Sequence, residues 1–211
     1  MTTTPDSPYV NLPPERWKEK TRELIDLHPL EPSRIVDVVL SSWDSIFDST
    51  IGTKRFAIGQ HIFPKPQIMG FLLHELIPLE FQAAHPALWR LDRTGDEKDL
   101  VHIPDPRFSV EIKTSSHRSQ IFGNRSYAQP GAASRKSKAG YYLTVNFERF
   151  SGISTRPSLR AIRFGWLDHS DWIAQRAATG QQARLKPIVY ETKLLLLYGP
   201  RPPHPTANSR D

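Results

Sequence analysis

Residues 98–116, KDLVHIPDPRFSVEIKTSS, are the stretch on which the fold of this chain turns. Pro104-Asp105-Pro106-Arg107 is a turn by composition, because proline fixes φ and aspartate favours turn geometry. The runs on either side, 99–103 (DLVHI) and 108–114 (FSVEIKT), read as strands and should pair as an antiparallel hairpin. A turn centred between 105 and 106 sets residue 99 opposite residue 112. Asp99 then lies beside Glu111 and Lys113, which share a face because strand side chains alternate.

Two carboxylates held close together repel each other and shift in pKa unless something positive stands between them. A divalent cation meets that need, and hard carboxylate oxygens suit Mg²⁺. A lysine beside such an ion can orient or deprotonate a water for attack on phosphorus. The same residues could instead form an ordinary cross-strand salt bridge, Lys113 with Asp99 or Glu111. The literal Pro-Asp pair, Pro104-Asp105, would sit about 20 Å from the E-x-K end at ~3.4 Å per strand residue, so Asp105 belongs to the turn. Asp96 is a weaker rival to Asp99.

Outward from the hairpin, the pattern is helices first and a sheet afterwards. Helical spacing covers 15–28, ending at Pro29 and Pro32, and again 32–48, with Ile35, Val38, Val39, Trp43, Ile46 and Phe47 on one broad face. Residues 66–77 are apolar almost all round and predict a buried helix interrupted by Pro78. Further extended runs fall at 88–92, 140–147 and 159–167, a helix is expected over 169–178, and a last strand over 187–198. The expected class is α/β (α+β mixed), a central mixed sheet flanked by helices. With 211 residues and no repeat, one domain is expected over 15–198, between a flexible segment 1–14 and a disordered Pro-rich tail 199–211.

Composition narrows the chemistry. Cysteine is absent, which removes disulfides, thiolate catalysis and Cys-based zinc sites. The histidines show no HxH or HExxH spacing, so a histidine metal site is unsupported. No apolar run reaches the ~18 residues of a membrane span and no secretion signal is visible, so a cytoplasmic location is expected. Lys and Arg number 28 against 22 Asp and Glu, a net charge of +6. Between Glu111 and Glu148 no acidic residue occurs, yet Lys113, Arg118, Arg125, Arg135, Lys136 and Lys138 do. That block reads either as a footprint for a polyanion or as a solvated loop.

Asp99 with Glu111-Ile112-Lys113 resembles the PD-(D/E)xK nuclease motif. The longer run EKDLVHIPD…FSVEIKTSS…IFGNRSYAQ is similar to type II restriction endonucleases and, within them, to the ScaI-like group, over roughly residues 66–185. The resemblance implies a Mg²⁺-dependent nuclease cutting double-stranded DNA, with Asp99, Glu111 and the Ile112 carbonyl holding metal and Lys113 assisting the water. It also implies a homodimer, so that two active sites cut a two-fold symmetric site, and a partner methyltransferase protecting the host. A structure-selective, resolvase-like nuclease and a non-catalytic DNA-binding protein are the alternatives.

Other positions are candidates for the same function. Glu75, or less readily Glu80, could contact the metal from the helix before the sheet, though a buried Glu–Arg pair is the plainer reading. Ser115 and Ser116 could hold the phosphate. The loop QIFGNRSYAQPG offers Asn124, Arg125, Ser126, Tyr127 and Gln129, side chains that read base edges or bind phosphates. Lys136 and Lys138 are expected phosphate contacts. Gln181 and Gln182, in a second polar segment, could enter a groove or simply cap a solvated helix end.

Overall fold

A computed structural model describes residues 7–128, 137–151, 155–175 and 180–200. In chain order these form α1 (Pro14–Asp26), α2 (Pro32–Asp48), β1 (Thr50–Ile51), β2 (Phe56–Ala57), α3 (Pro66–Ala84), β3 (Trp89–Leu91), β4 (Leu100–His102), β5 (Val110–Ser115) and β6 (Phe122–Asn124). Then follow β7 (Gly140–Phe147), β8 (Leu159–Leu167), β9 (Trp172–Ala174), β10 (Gln182–Leu185), α4 (Pro187–Thr192) and β11 (Leu194–Tyr198). Each of the four helices opens on a proline. Its fixed φ suits the first helical turn, where the missing N–H has no partner to lose.

The central sheet has the order β11-β8-β7-β5-β4-β3. Only β5 and β7 run parallel; every other neighbouring pair is antiparallel. All eight positions of β7 are buried, as expected of a strand covered on both faces. On one face Val110, Ile112, Tyr141, Leu143 and Val145 pack with Ile35, Val39, Leu73 and Phe81 of the helices. On the other, Tyr142 packs with Tyr127, Trp172, Ala183, Leu185 and Val189. That second layer is a three-stranded sheet, β6-β10-β9. The expected fold class is the observed one, a mixed sheet flanked by helices.

Several local expectations are corrected. The helix over 66–77 continues through Pro78 to Ala84, because Ile77, Pro78 and Phe81 are buried beyond the break and their packing outweighs one lost backbone bond. Nor is it buried all round, since Ile68, Phe71 and Leu79 are exposed. In place of the helix expected over 169–178 there is a single tight turn at 169–171, closed by Asp168 N–H donating to Asp171 and followed by β9; residues 176–178 lie outside the described residues. The strand expected over 187–198 divides into α4 and β11: Pro187 starts a short helix that buries Val189 and Tyr190. Residues 122–124 and 182–185 are strand rather than loop. The segment expected to hang loosely at the N-terminus is anchored from Ser7 onward: Ser7 Oγ donates to Asp168, and Tyr9 is buried against Thr21 and Trp17. Residues 1–6 and 201–211 lie outside the described residues.

Candidate active site

The hairpin forms, one residue out of the expected register. Leu100 pairs with Val110, which carries Asp99 level with Glu111 rather than Ile112. The turn is not a simple two-residue centre but a short 3₁₀ turn, Pro106–Phe108, capped by Asp105, whose carboxylate accepts from Arg107 N–H. His102 N–H donates to Ser109 Oγ, closing the turn at its far end. Asp105 is thus occupied at the turn, where Arg107 holds its carboxyl down to about 2.

β5 separates its side chains by alternation. Val110 and Ile112 enter the helix-side core, and Glu111 turns to the opposite face beneath the small sheet. Asp99 Oδ2 accepts from the Ile112 N–H at 2.6 Å, so the aspartate is fastened to the backbone between Glu111 and Lys113. Lys113 Nζ lies 2.7 Å from Glu111 Oε1 and 3.1 Å from the Ile112 carbonyl oxygen. Glu111 is only 1% exposed. A carboxylate so deep needs compensation, and it receives the Lys113 ammonium, the Lys98 ammonium 4.0 Å from Oε2, and the Tyr127 hydroxyl 2.5 Å from Oε1. Burial, then the charge of Glu111, pushes the Tyr127 hydroxyl far above its ordinary range, so it remains a neutral donor.

The structure adds three residues that sequence patterns missed. Lys98 directly precedes Asp99 but stood outside the E-x-K pattern. Its amine also donates to Ser137 O and lies over the Tyr142 ring. His74, one residue before Glu75, brings Nδ1 within 3.7 Å of Asp99 Oδ2; no local spacing marks it. Gly70 sets the height of that helix over the strand: an added Cβ would meet Thr114 Oγ1 at 2.6 Å. Glycine is required here by close approach of α3 to β5.

A cleft opens between α3, the end of β5 and the small sheet, lined among others by His74, Glu75, Asp99, Ser115, Ser116 and Gln182. Glu75 is exposed at this cleft rather than buried with an arginine as the plainer reading had it. Ser115 Oγ accepts from His117 N–H, and Ser116 is half-buried beside it. Asn124, Ser126, Gln181 and Gln182 are exposed, and Arg125 is half-buried with Nη1 on the Gly180 carbonyl. Tyr127 is corrected: it does not face a DNA surface but is buried against Trp172 with its hydroxyl on Glu111. Lys138 packs its ammonium over the Tyr127 ring, 4.4 Å from the centroid, instead of standing clear as a phosphate contact. Gln129 and Lys136 lie outside the described residues.

The donor set suits a hard cation. Glu111 Oε1 and the Ile112 carbonyl already converge on one positive centre, the Lys113 ammonium, which shows that these two oxygens can share a cation. Among the described residues no three His, Cys, Asp or Glu side chains form a metal cage. Few protein ligands is the ordinary condition for Mg²⁺, which keeps several waters and is held by one or two carboxylates plus phosphate.

A mixed sheet flanked by helices, with Asp99 at the entry to β4 beside Glu111-Ile112-Lys113 on β5 and an open cleft alongside, fits a nuclease of the restriction-endonuclease class. The chain matches the family described as ScaI restriction endonuclease over residues 7–198, and it belongs to that family. It is 52% identical over 198 residues to the type II restriction enzyme ScaI of Streptomyces caespitosus, covering 92% of this chain and 86% of that protein. No solved structure matches it.

Proposed function

We propose that this protein is a type II site-specific deoxyribonuclease that hydrolyses double-stranded DNA with Mg²⁺, using Asp99, Glu111 and Lys113. The observation that carries the reading is the fastening of Asp99 to the Ile112 amide, within a chain of the ScaI family. Asp99, Glu111 and the Ile112 carbonyl would hold the metal, with Glu75 reaching it through water from the cleft wall. The cation, when bound, supplies Lewis-acid charge to the scissile phosphate and to the attacking water.

The rest of the work falls to the chain itself. Tyr127 fixes the rotamer of Glu111 by its hydrogen bond. Lys113 brings a positive charge to the water line of attack and to the phosphoryl oxygens as they gain charge. Ser115 and Ser116 line the cleft, and their hydroxyls would hold the phosphate. A homodimer places two such sites on the two strands of a symmetric sequence. One nuclease domain over 15–198 with the Ser7–Tyr9 segment docked on it, a cytoplasmic location and a methyltransferase in the same system complete the proposal. No helix among the described residues is long and apolar enough to cross a membrane.

Incubation with a long DNA of known sequence and Mg²⁺ tests the function on a gel. Discrete, reproducible fragments are expected. Structure-dependent nicking would instead support a resolvase-like nuclease, and retardation without cutting a DNA-binding protein.

A further inference from the structure

The two segments 122–125 and 181–185, far apart in sequence, are one ladder. Asn124 pairs with Gln182, Gly123 with Ala183 and Phe122 with Arg184. Arg125 closes the end of the ladder, its N–H donating to Gln181 O at 2.7 Å and its Nη1 to Gly180 O at 3.3 Å. β9 adds the third strand, with Ile173 beside Arg184. Gln175 and Gln182 exchange bonds at that strand's end: Gln175 N–H donates to Gln182 O, and Gln182 N–H to Gln175 Oε1.

Directly opposed residues of an antiparallel pair share a face. The inner face is Gly123, Ala183, Leu185 and Trp172, buried on the molecule. A Cβ at Gly123 would press on the Tyr127 and Trp172 rings at 3.1 and 3.2 Å, so this face sits as close to the body as it can. The outer face carries Asn124, Gln182 and Arg184, all exposed, beside Phe122 and Ile173, and no acidic residue. It is not a remote surface, because Phe122 and Gln182 line the same cleft as Asp99 and Ser116. A row of amides on a strand pair is the wrong pattern for a buried sheet and the right one for base edges: a carboxamide offers a donor and an acceptor side by side, as adenine N6 and N7 require. The major groove admits a two-stranded ribbon.

We propose that Asn124 and Gln182 are a cross-strand base-reading pair carried into the major groove by the β6–β10 ladder. Arg125, bound to the backbone of the neighbouring strand, sets the ladder's end. This rests on the site-specific cleavage proposed above. It names which side chains give that cleavage its sequence preference.

The test uses the full-length protein, the recognition site mapped from wild-type fragments, and duplexes carrying every single base-pair change in that site. Asn124→Ala and Gln182→Ala should each lower the ratio of cognate to altered-site cleavage by about 10- to 100-fold at one base-pair position and its two-fold mate in the other half-site, and leave the other positions unchanged. Asn124→Asp and Gln182→Glu keep the side-chain outline but remove the amide donors, and should lose discrimination at the same positions. Thermal unfolding of all four variants within a few degrees of wild type establishes that the ladder is intact. Discrimination unchanged at every position, or lost evenly across all of them, overturns the reading pair alone. Wild-type protein that gives no discrete fragments overturns the proposed function, and the reading pair with it.

Discussion

The hydroxyl of Tyr127 donates a 2.5 Å hydrogen bond to Oε1 of Glu111, from the turn that follows β6 to the middle of β5. The bond joins the face proposed to read DNA to the carboxylate proposed to hold metal. Glu111 lies beneath the small sheet with a lysine on either side. Tyr127→Phe removes the hydroxyl and keeps the ring on which Lys113 and Lys138 rest. Hydrogen bonds to charged groups are worth about 1.5–3 kcal/mol, so cleavage should fall about 10- to 100-fold with Ca²⁺-supported DNA binding nearly unchanged. Single-turnover cleavage beside a binding titration checks it; wild-type rates would show that Glu111 holds its position without the tyrosine.

Asp99 and Asp105 should separate cleanly. Asp99→Ala removes the group fastened to the Ile112 amide and should abolish detectable cleavage. Asp105→Ala loses the cap of an exposed turn and should cut at close to the wild-type rate, with only a modest loss of stability. Rates of cognate cleavage for the two variants decide the matter, and the opposite ranking would place the metal at the wrong end of the hairpin.

Gly70 predicts a packing effect that reaches the site. Gly70→Ala forces its methyl against Thr114 Oγ1, and overpacking of this kind costs about 1–3 kcal/mol. The melting temperature should drop, and cleavage should fall with it as α3 carries His74 and Glu75 away from Asp99. Adding Thr114→Ala opens the space and should restore much of both. A Gly70→Ala protein as stable as wild type would mean that helix and strand do not touch closely.

His28 should make stability pH-dependent. Its ring is buried among Tyr141, Phe164 and Phe108, with Nδ1 accepting from Leu30 N–H and Nε2 donating to Phe108 O. Burial pushes its pKa from 6.5 down to about 4, against a smaller upward pull from the Phe108 bond. Below pH 6.5 the unfolded chain therefore binds a proton that the folded one refuses. The stabilising difference, present in full above pH 6.5, is lost as pH falls towards 4, on the order of 3 kcal/mol in all. Denaturant unfolding of wild type and His28→Phe between pH 4 and pH 7 should show a shallower slope for the variant; equal slopes would contradict a neutral buried His28.

The hairpin, the E-x-K strand and the order of helices before sheet were legible in the sequence because each rests on local chemistry: a proline-rich turn, alternation, apolar residues at helical spacing. The register was not, because a 3₁₀ turn closed by Ser109 moves the pairing by one residue and nothing in PDPR announces it. β6 and β10 escaped notice because their buried face has one large apolar side chain, Leu185, beside Gly123 and Ala183, while most of their outer face is polar. Tyr127 stood out in the sequence as a candidate DNA contact, not as a partner of Glu111. Only the fold of the small sheet over β5 shows that its hydroxyl points inward to Glu111. His74 reaches the site by tertiary contact alone, and Lys98, though next to Asp99 in sequence, meets Glu111 only across the fold.

Lys113→Ala tests the central claim most directly, measured as single-turnover cleavage of a cognate duplex with Mg²⁺ beside binding of the same duplex with Ca²⁺. The carboxylates remain in the variant while the charge at the water's line of attack is gone. The account expects binding to persist and cleavage to fall by about three orders of magnitude or more. Near-normal cleavage by Lys113→Ala would contradict it.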